Sequence, residues 1–251
     1  MRSTTMASVW SAARAVMALA IVSAVVAQLV KAVGTAAGLG RDVGVTIVNF
    51  FSFFTILSNT AAAVVLLWAA IWYWRRGRKA DAEPAALAVA LTCVSTYMVV
   101  TGVVYNSLLR HIELPQGSEP IPWSNEVLHL VGPLFLLVDV FVGPLRRRLP
   151  WSAVWVVAGF PILWAIYTMA RGPLTVNPAS GAPYWYPYPF LDPNNAALQP
   201  LSGYAGVALY IVAIAAVILG VGALVVWWRR RTGVGESDAA SAPEQEPAVA
   251  P

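Results

Sequence analysis

The sequence predicts an all-α fold: a polytopic membrane helix bundle with six transmembrane helices and both termini in the cytoplasm. Three observations carry that expectation. The composition is too apolar for water, six stretches are long enough to cross a bilayer, and positive charge falls on alternate connections. Hydrophobic residues make up 59% of the chain and charged residues 11%, with a mean hydropathy of +0.67. A soluble domain carries about 25% charged residues, so this chain lacks the polar surface to cover itself in water.

A helix crossing ~30 Å of hydrocarbon needs about 20 mostly apolar residues. Six stretches qualify, over residues 8–30, 46–74, 85–109, 126–144, 151–170 and 204–228, within one transmembrane domain covering 1–231. The first also fits a signal peptide, with Arg2 and Arg14 leading an Ala-rich apolar run. Kept as a span, it lets the charge alternation work for all six. Between the fifth and sixth spans lies an extracytoplasmic loop, 171–203, containing Tyr184-Trp185-Tyr186-Pro187-Tyr188-Pro189. Its prolines prevent regular helix, and its aromatics suit the membrane interface. It reads either as a lid or acyl-chain guide, with Arg171, Trp185, Tyr186 and Tyr188 as contact residues, or as a seal on the bundle. Residues 232–251, rich in Ala, Pro, Glu and Ser, are expected to form a disordered cytoplasmic tail.

Charge then orients the bundle. Of the sixteen lysines and arginines, twelve fall on one side: Arg2 and Arg14, the run Arg75 to Lys79, Arg146 to Arg148, and Arg229 to Arg231. By the positive-inside rule that side is cytoplasmic, and the expected location is the plasma membrane. Trp72, Trp74, Trp227 and Trp228 mark the same inner boundary as interfacial aromatics. The net charge of +4 thus reports topology and implies no nucleic-acid partner. The chain has no Walker or Rossmann glycine pattern and no zinc-type Cys/His spacing. No cofactor and no metal are expected. Cys93 is the single cysteine, so an internal disulfide is excluded. Gly34 and Gly38 permit helix contacts, but the oligomeric state is not indicated.

Polar groups are costly inside hydrocarbon, which makes them informative. The second span carries Asn49, Ser52, Thr55 and Asn59, the last three at helical spacing on one face. Tyr105-Asn106 closes the third span. The fourth opens with Asn125-Glu126, reaches His129 one turn later, and holds Asp139 deeper. Thr55 lies 20 residues before Arg75, or ~30 Å along a helix, and His129 lies 17 before Arg146, or ~26 Å. The two therefore sit at similar depth near the outer face. A threonine hydroxyl is a poor nucleophile until a base accepts its proton, and a histidine can do so while a covalent acyl intermediate forms. Asn125 or Glu126 is placed to orient the imidazole or to donate to an oxyanion. A structural reading stands beside this one. Thr55 can bond back to its own helix, Asn59 and Asn106 can join helices, and Asp139 can reach toward the inner arginines or relay protons.

Phe54-Thr55-Ile56-Leu57-Ser58-Asn59, the Asn125-x-x-x-His129 helix with the later Asp139, and Trp185-Tyr186-Pro187 resemble segments of the androgen-induced membrane hydrolases and their bacterial six-span branch. That family's eukaryotic members are multi-pass threonine hydrolases that cleave esters of fatty acids with hydroxy fatty acids. The resemblance implies Thr55 as nucleophile, His129 as base, Asp139 as the later acidic residue, and a membrane lipid carrying a fatty-acyl ester as substrate. The long Pro/Tyr loop and the C-terminal tail depart from the family's pattern. The competing expectation is a non-enzymatic membrane protein, such as a small transporter or assembly factor, although no interrupted half-helix pair is evident in the sequence.

Overall fold

A computed structural model describes residues 4–112 and 119–235. Eight helices account for the architecture: α1 Thr4–Gly38, α2 Val43–Phe50, α3 Phe54–Arg75, α4 Ala85–Val104, α5 Pro122–Glu126, α6 Gly132–Val142, α7 Ala153–Arg171 and α8 Gly203–Thr232. Two π-helical turns, Tyr105–Leu109 and Val127–Val131, prolong α4 and join α5 to α6. Six of the resulting helical units are long and apolar enough to cross a membrane. Among the described residues there is no strand, only an isolated bridge between Arg147 and Val234.

Burial is inverted relative to a soluble protein. In α1 the inward stripe is Ser11, Arg14, Ala18, Ile21 and Val25, spaced three or four apart, whereas Val9, Val16, Leu19, Val26 and Val30 are exposed. Exposed valine and leucine on a helix whose buried stripe carries an arginine describe a surface solvated by lipid. Small residues let the backbones approach, and Ala18, Ile21 and Ala24 of α1 meet Ala62, Ala63, Leu66 and Ala69 of α3 in one cluster. α4 is the central post, 67% buried over its apolar window against 22% for α1, α7 and α8, and it touches α3, α6, α7 and α8.

Proline in α7 shows how strictly backbone groups are satisfied. Pro161 has no N–H, so the carbonyl of Val157, four residues earlier, loses its helical donor. The Tyr97 hydroxyl of α4 donates to that carbonyl at 2.8 Å.

Two expectations from sequence change here. The stretch 46–74 is not one helix: α2 ends at Phe50, and α3 starts afresh at Phe54. No proline or glycine causes the break. Side chains of α7 hold it open: Trp164 Nε1 donates to the Ser52 carbonyl, Tyr167 hydrogen-bonds the Ser52 hydroxyl at 2.9 Å, and Arg171 donates to Asn49 Oδ1 at 2.7 Å. Ser52 therefore lies in the interruption and not on a helical face with Thr55 and Asn59. The second change concerns the expected tail. Thr232 still belongs to α8, and Val234 bridges back to the segment 146–148. Residues 236–251 lie outside the described residues.

At the arginine-rich end the connections are tied to one another. Glu83 accepts from Arg229 and, through its carbonyl, from Arg147, while its N–H donates to Leu145. Arg146 donates to the carbonyls of Phe141 and Gly143.

Candidate functional site

The break at 51–53 has a direct chemical consequence for Thr55. A serine or threonine inside a membrane helix commonly hydrogen-bonds the carbonyl four residues earlier. Thr60, Thr92, Thr96 and Ser107 all do so, at 2.7–2.9 Å. Thr55 sits in the first turn of α3 and has no helical carbonyl behind it. Its hydroxyl instead faces the Tyr188 hydroxyl at 3.3 Å, and its N–H donates to the same phenol oxygen at 3.2 Å. The α3 N-cap position, Phe53, supplies no side-chain cap, so Tyr188 takes that role from the loop. Burial raises the Tyr188 pKa above the ordinary tyrosine value, against opposing hydrogen bonds from Thr55 and Phe54, so the phenol keeps its proton at neutral pH.

His129 lies in the Val127–Val131 π turn, and the turn determines its neighbours. The Gly132 N–H reaches back five residues to the Val127 carbonyl, which leaves the Leu128 carbonyl free. Pro133 has no N–H for the carbonyl of His129 itself. Asparagines from two other helices take both places: Asn59 donates to Leu128 at 3.1 Å and Asn106 to His129 at 3.0 Å. The same Asn59 amide donates to the Thr55 carbonyl at 2.9 Å. One buried side chain therefore straps the Thr55 turn to the His129 turn. Gly102 lets α4 come equally close to the His129 turn, since a Cβ there would lie 2.8 Å from Pro133.

The imidazole is fixed on two sides. Its Nδ1 is 3.0 Å from the Asn125 carbonyl, which can only accept, so Nδ1 carries the hydrogen and Nε2 keeps a lone pair in the neutral ring. Its face stacks on Tyr105 at 3.7 Å between centroids, and Asn125 Nδ2 holds the Tyr105 hydroxyl at 2.7 Å.

Thr55 and His129 line one cavity of about 590 Å³ whose wall is mostly apolar but also carries Gln28, Lys31, Arg41, Arg110 and Asn125. Thr55 also lines a second cavity of about 140 Å³, walled by apolar residues that include Val104, Pro161, Trp164, Ile211 and Ile214. Thr55, Tyr105, Leu109 and Tyr188 are common to both, so the threonine stands between an apolar cavity and a larger one of mixed lining. Among the described residues no group of three or more His, Cys, Asp or Glu could hold a metal ion.

The remaining candidates separate. Trp185 and Tyr188 line the larger cavity. Tyr186 lies flat against Gly172, where a Cβ would meet its ring at 2.1 Å. Arg171 pins the helix break and lies over Trp185 at 5.4 Å. Glu126 is held by both terminal nitrogens of Arg110, at 2.8 and 3.0 Å, so the imidazole is oriented by the main chain of Asn125 and not by this carboxylate. Asp139 belongs elsewhere. It is buried in a two-pronged pair with Arg14, at 2.7 and 3.0 Å, and accepts from Trp10. That partner is an arginine of α1 and not one of the arginines beyond α6, because α1 packs on α6 at this depth, with Trp10 stacked on Phe135. Sequence reasoning passed over Tyr105 and Arg110 as site residues. The signal available was the Tyr105-Asn106 pair at the end of the third span.

No family model, curated protein or solved structure matches this chain. What defines its class is the six-helix membrane architecture.

Proposed function

We propose that this protein is a membrane-embedded hydrolase of fatty-acyl esters, with Thr55 as nucleophile and His129 as general base. The observation that carries the reading is the place of Thr55 in the wall shared by an apolar cavity and a larger one that also carries charged and amide groups. An amphiphilic ester has this division, an acyl chain on one side of the scissile carbonyl and a more polar alcohol part on the other. The resemblance of the Phe54–Asn59 and Asn125–His129 segments to the androgen-induced membrane hydrolases supports the same residues.

In the proposed reaction the Thr55 hydroxyl attacks the carbonyl carbon and its proton passes to Nε2 of His129. Collapse of the tetrahedral intermediate breaks the ester C–O bond, and the departing alkoxide takes that proton. Water then hydrolyses the acyl-threonine by the same steps in reverse order, releasing the fatty acid. The positive-inside count puts the arginine-rich end in the cytoplasm, so the site would serve the outer leaflet of the plasma membrane.

The test is labelling of the full-length protein with an alkyl fluorophosphonate. Labelling is expected at Thr55 and is expected to vanish in Thr55→Ala and His129→Ala. A modified residue other than Thr55 would sink the assignment. One observation favours a second reading, a non-enzymatic carrier of amphiphiles: the second span is discontinuous beside the cavity, as substrate-binding helices of transporters are. A carrier would bind an uncleaved ester and give no covalent adduct.

A further inference from the structure

We propose that Tyr188 is a third catalytic group, the hydrogen-bond donor that stabilises the oxyanion formed when Thr55 attacks. The inference rests on the hydrolase reading above and assigns to the proline-rich loop a chemical role beyond covering the site.

The phenol oxygen is 3.3 Å from Thr55 Oγ1 and accepts the Thr55 N–H at 3.2 Å. Accepting that bond leaves the phenol's own proton to be donated. The nucleophile and the oxyanion become two oxygens on one tetrahedral carbon, and they are closer together than the present gap between Thr55 Oγ1 and Tyr188. With the carbonyl oxygen turned toward the loop, a donor at this position lies within the about 2.7–3.1 Å that oxyanion stabilisation requires.

The ring is held too firmly to act as a swinging plug. Phe190 stacks on it at 5.2 Å with planes 5° apart, Phe53 meets it edge-on at 5.6 Å, and Trp164 closes a third side at 6.0 Å. Phe190, Leu191 and Leu198 of the same loop are buried against Val207 of α8, so the segment carrying the tyrosine is anchored by its own core. A donor fixed before the reaction needs no reorganisation as charge develops, which is what makes such groups effective. As the Thr55 Oγ1–carbon bond forms, the carbonyl π pair moves to oxygen and the Tyr188 hydrogen bond shortens onto it. When the pair returns and the alkoxide leaves, that bond relaxes. Tyr188 keeps its proton throughout, and His129 alone carries the transferred one.

Tyr188→Phe keeps the ring and removes the donor. The variant is expected to react with the alkyl fluorophosphonate roughly 100-fold more slowly than the wild type. With a p-nitrophenyl ester of a medium-chain fatty acid, the loss is expected in kcat while KM stays near its wild-type value. Replacing Tyr188 with 3-fluorotyrosine restores the donor and is expected to recover the labelling rate, which guards against a loss caused by misfolding. Wild-type labelling rates in Tyr188→Phe would overturn the proposal and leave a helix cap, while Thr55-dependent labelling kept the hydrolase reading intact. Slow labelling that 3-fluorotyrosine does not rescue overturns it as well. A wild-type protein that never labels at Thr55 removes both readings together.

Discussion

The two ends of the bundle treat polar groups in opposite ways. At the arginine-rich end Arg14 meets Asp139, Arg229 meets Glu83, and Arg146 and Arg147 donate to the carbonyls of Phe141 and Glu83. Two of these arginines are matched to carboxylates buried inside the protein, and the other two to main-chain carbonyls. At the other end Thr55 and His129 face a cavity: Asn59 donates to the Thr55 carbonyl, Asn106 donates to the His129 carbonyl, the Asn125 carbonyl accepts from Nδ1, and among the described residues the Thr55 hydroxyl meets Tyr188 alone. The difference teaches how a site is recognised in a membrane bundle. Buried ion pairs such as Arg14 with Asp139 serve assembly. Polar residues whose neighbours fix the backbone and leave a reactive atom facing a cavity are prepared for chemistry.

Breaking a buried ion pair at the arginine-rich end should have the largest effect. Asp139→Ala strands the Arg14 guanidinium in the bundle and is expected to cost about 3–5 kcal/mol, read as a fall in Tm in detergent. The paired change Arg14→Met with Asp139→Leu should recover most of that loss; a double variant as unstable as the single one would mean that the pair does more than neutralise itself. At the opposite end Asn59→Leu keeps the volume but leaves the Leu128 carbonyl without its side-chain donor and cuts the strap to the Thr55 carbonyl, which keeps Ser58. A loss of about 1–3 kcal/mol is expected, with a shift in the ring resonances of His129 that Asp139 variants do not produce. Gly172→Ala drives a methyl into the Tyr186 ring and is expected to cost about 1–3 kcal/mol, with faster hydrogen exchange confined to the 171–203 loop. Thr92→Val and Thr96→Val remove only hydroxyls bonded to their own helix, and each should change stability by less than about 1 kcal/mol.

Alkaline titration sharpens the same comparison. Burial and the neighbouring Tyr204 push the Tyr186 pKa up to about 12. The undocked loop would ionise at the ordinary value of 10.0, so it sheds protons first. Docking stability from this residue is therefore whole below pH 10 and falls as pH climbs toward 12. Hydrogen exchange at several alkaline pH values should show the loop opening while the Arg14–Asp139 end stays protected.

Much of the site was legible before any coordinates, and residue types say why. Asparagine and histidine in apolar spans are rare because an unsatisfied polar group in hydrocarbon is expensive, so Asn59, Asn106, Asn125 and His129 stood out, and all four converge. Asp139 stood out for the same reason and belongs elsewhere, because sequence spacing registers cost without naming the partner. Tyr188 was visible only as one aromatic among several in the loop.

Composition and charge alone determined that the chain is a six-helix membrane bundle, because hydrophobicity over a span length is a property of local sequence. Tertiary structure decided what Thr55 is free to do. No residue between Asn49 and Phe54 breaks a helix by itself; Trp164, Tyr167 and Arg171 of α7, more than a hundred positions later in the chain, hold that interruption. An unbroken helix would have offered the Thr55 hydroxyl the carbonyl of Phe51, one turn back, as it does for Thr92 and Thr96. The interruption withdraws that carbonyl and turns the hydroxyl toward Tyr188 and the cavities.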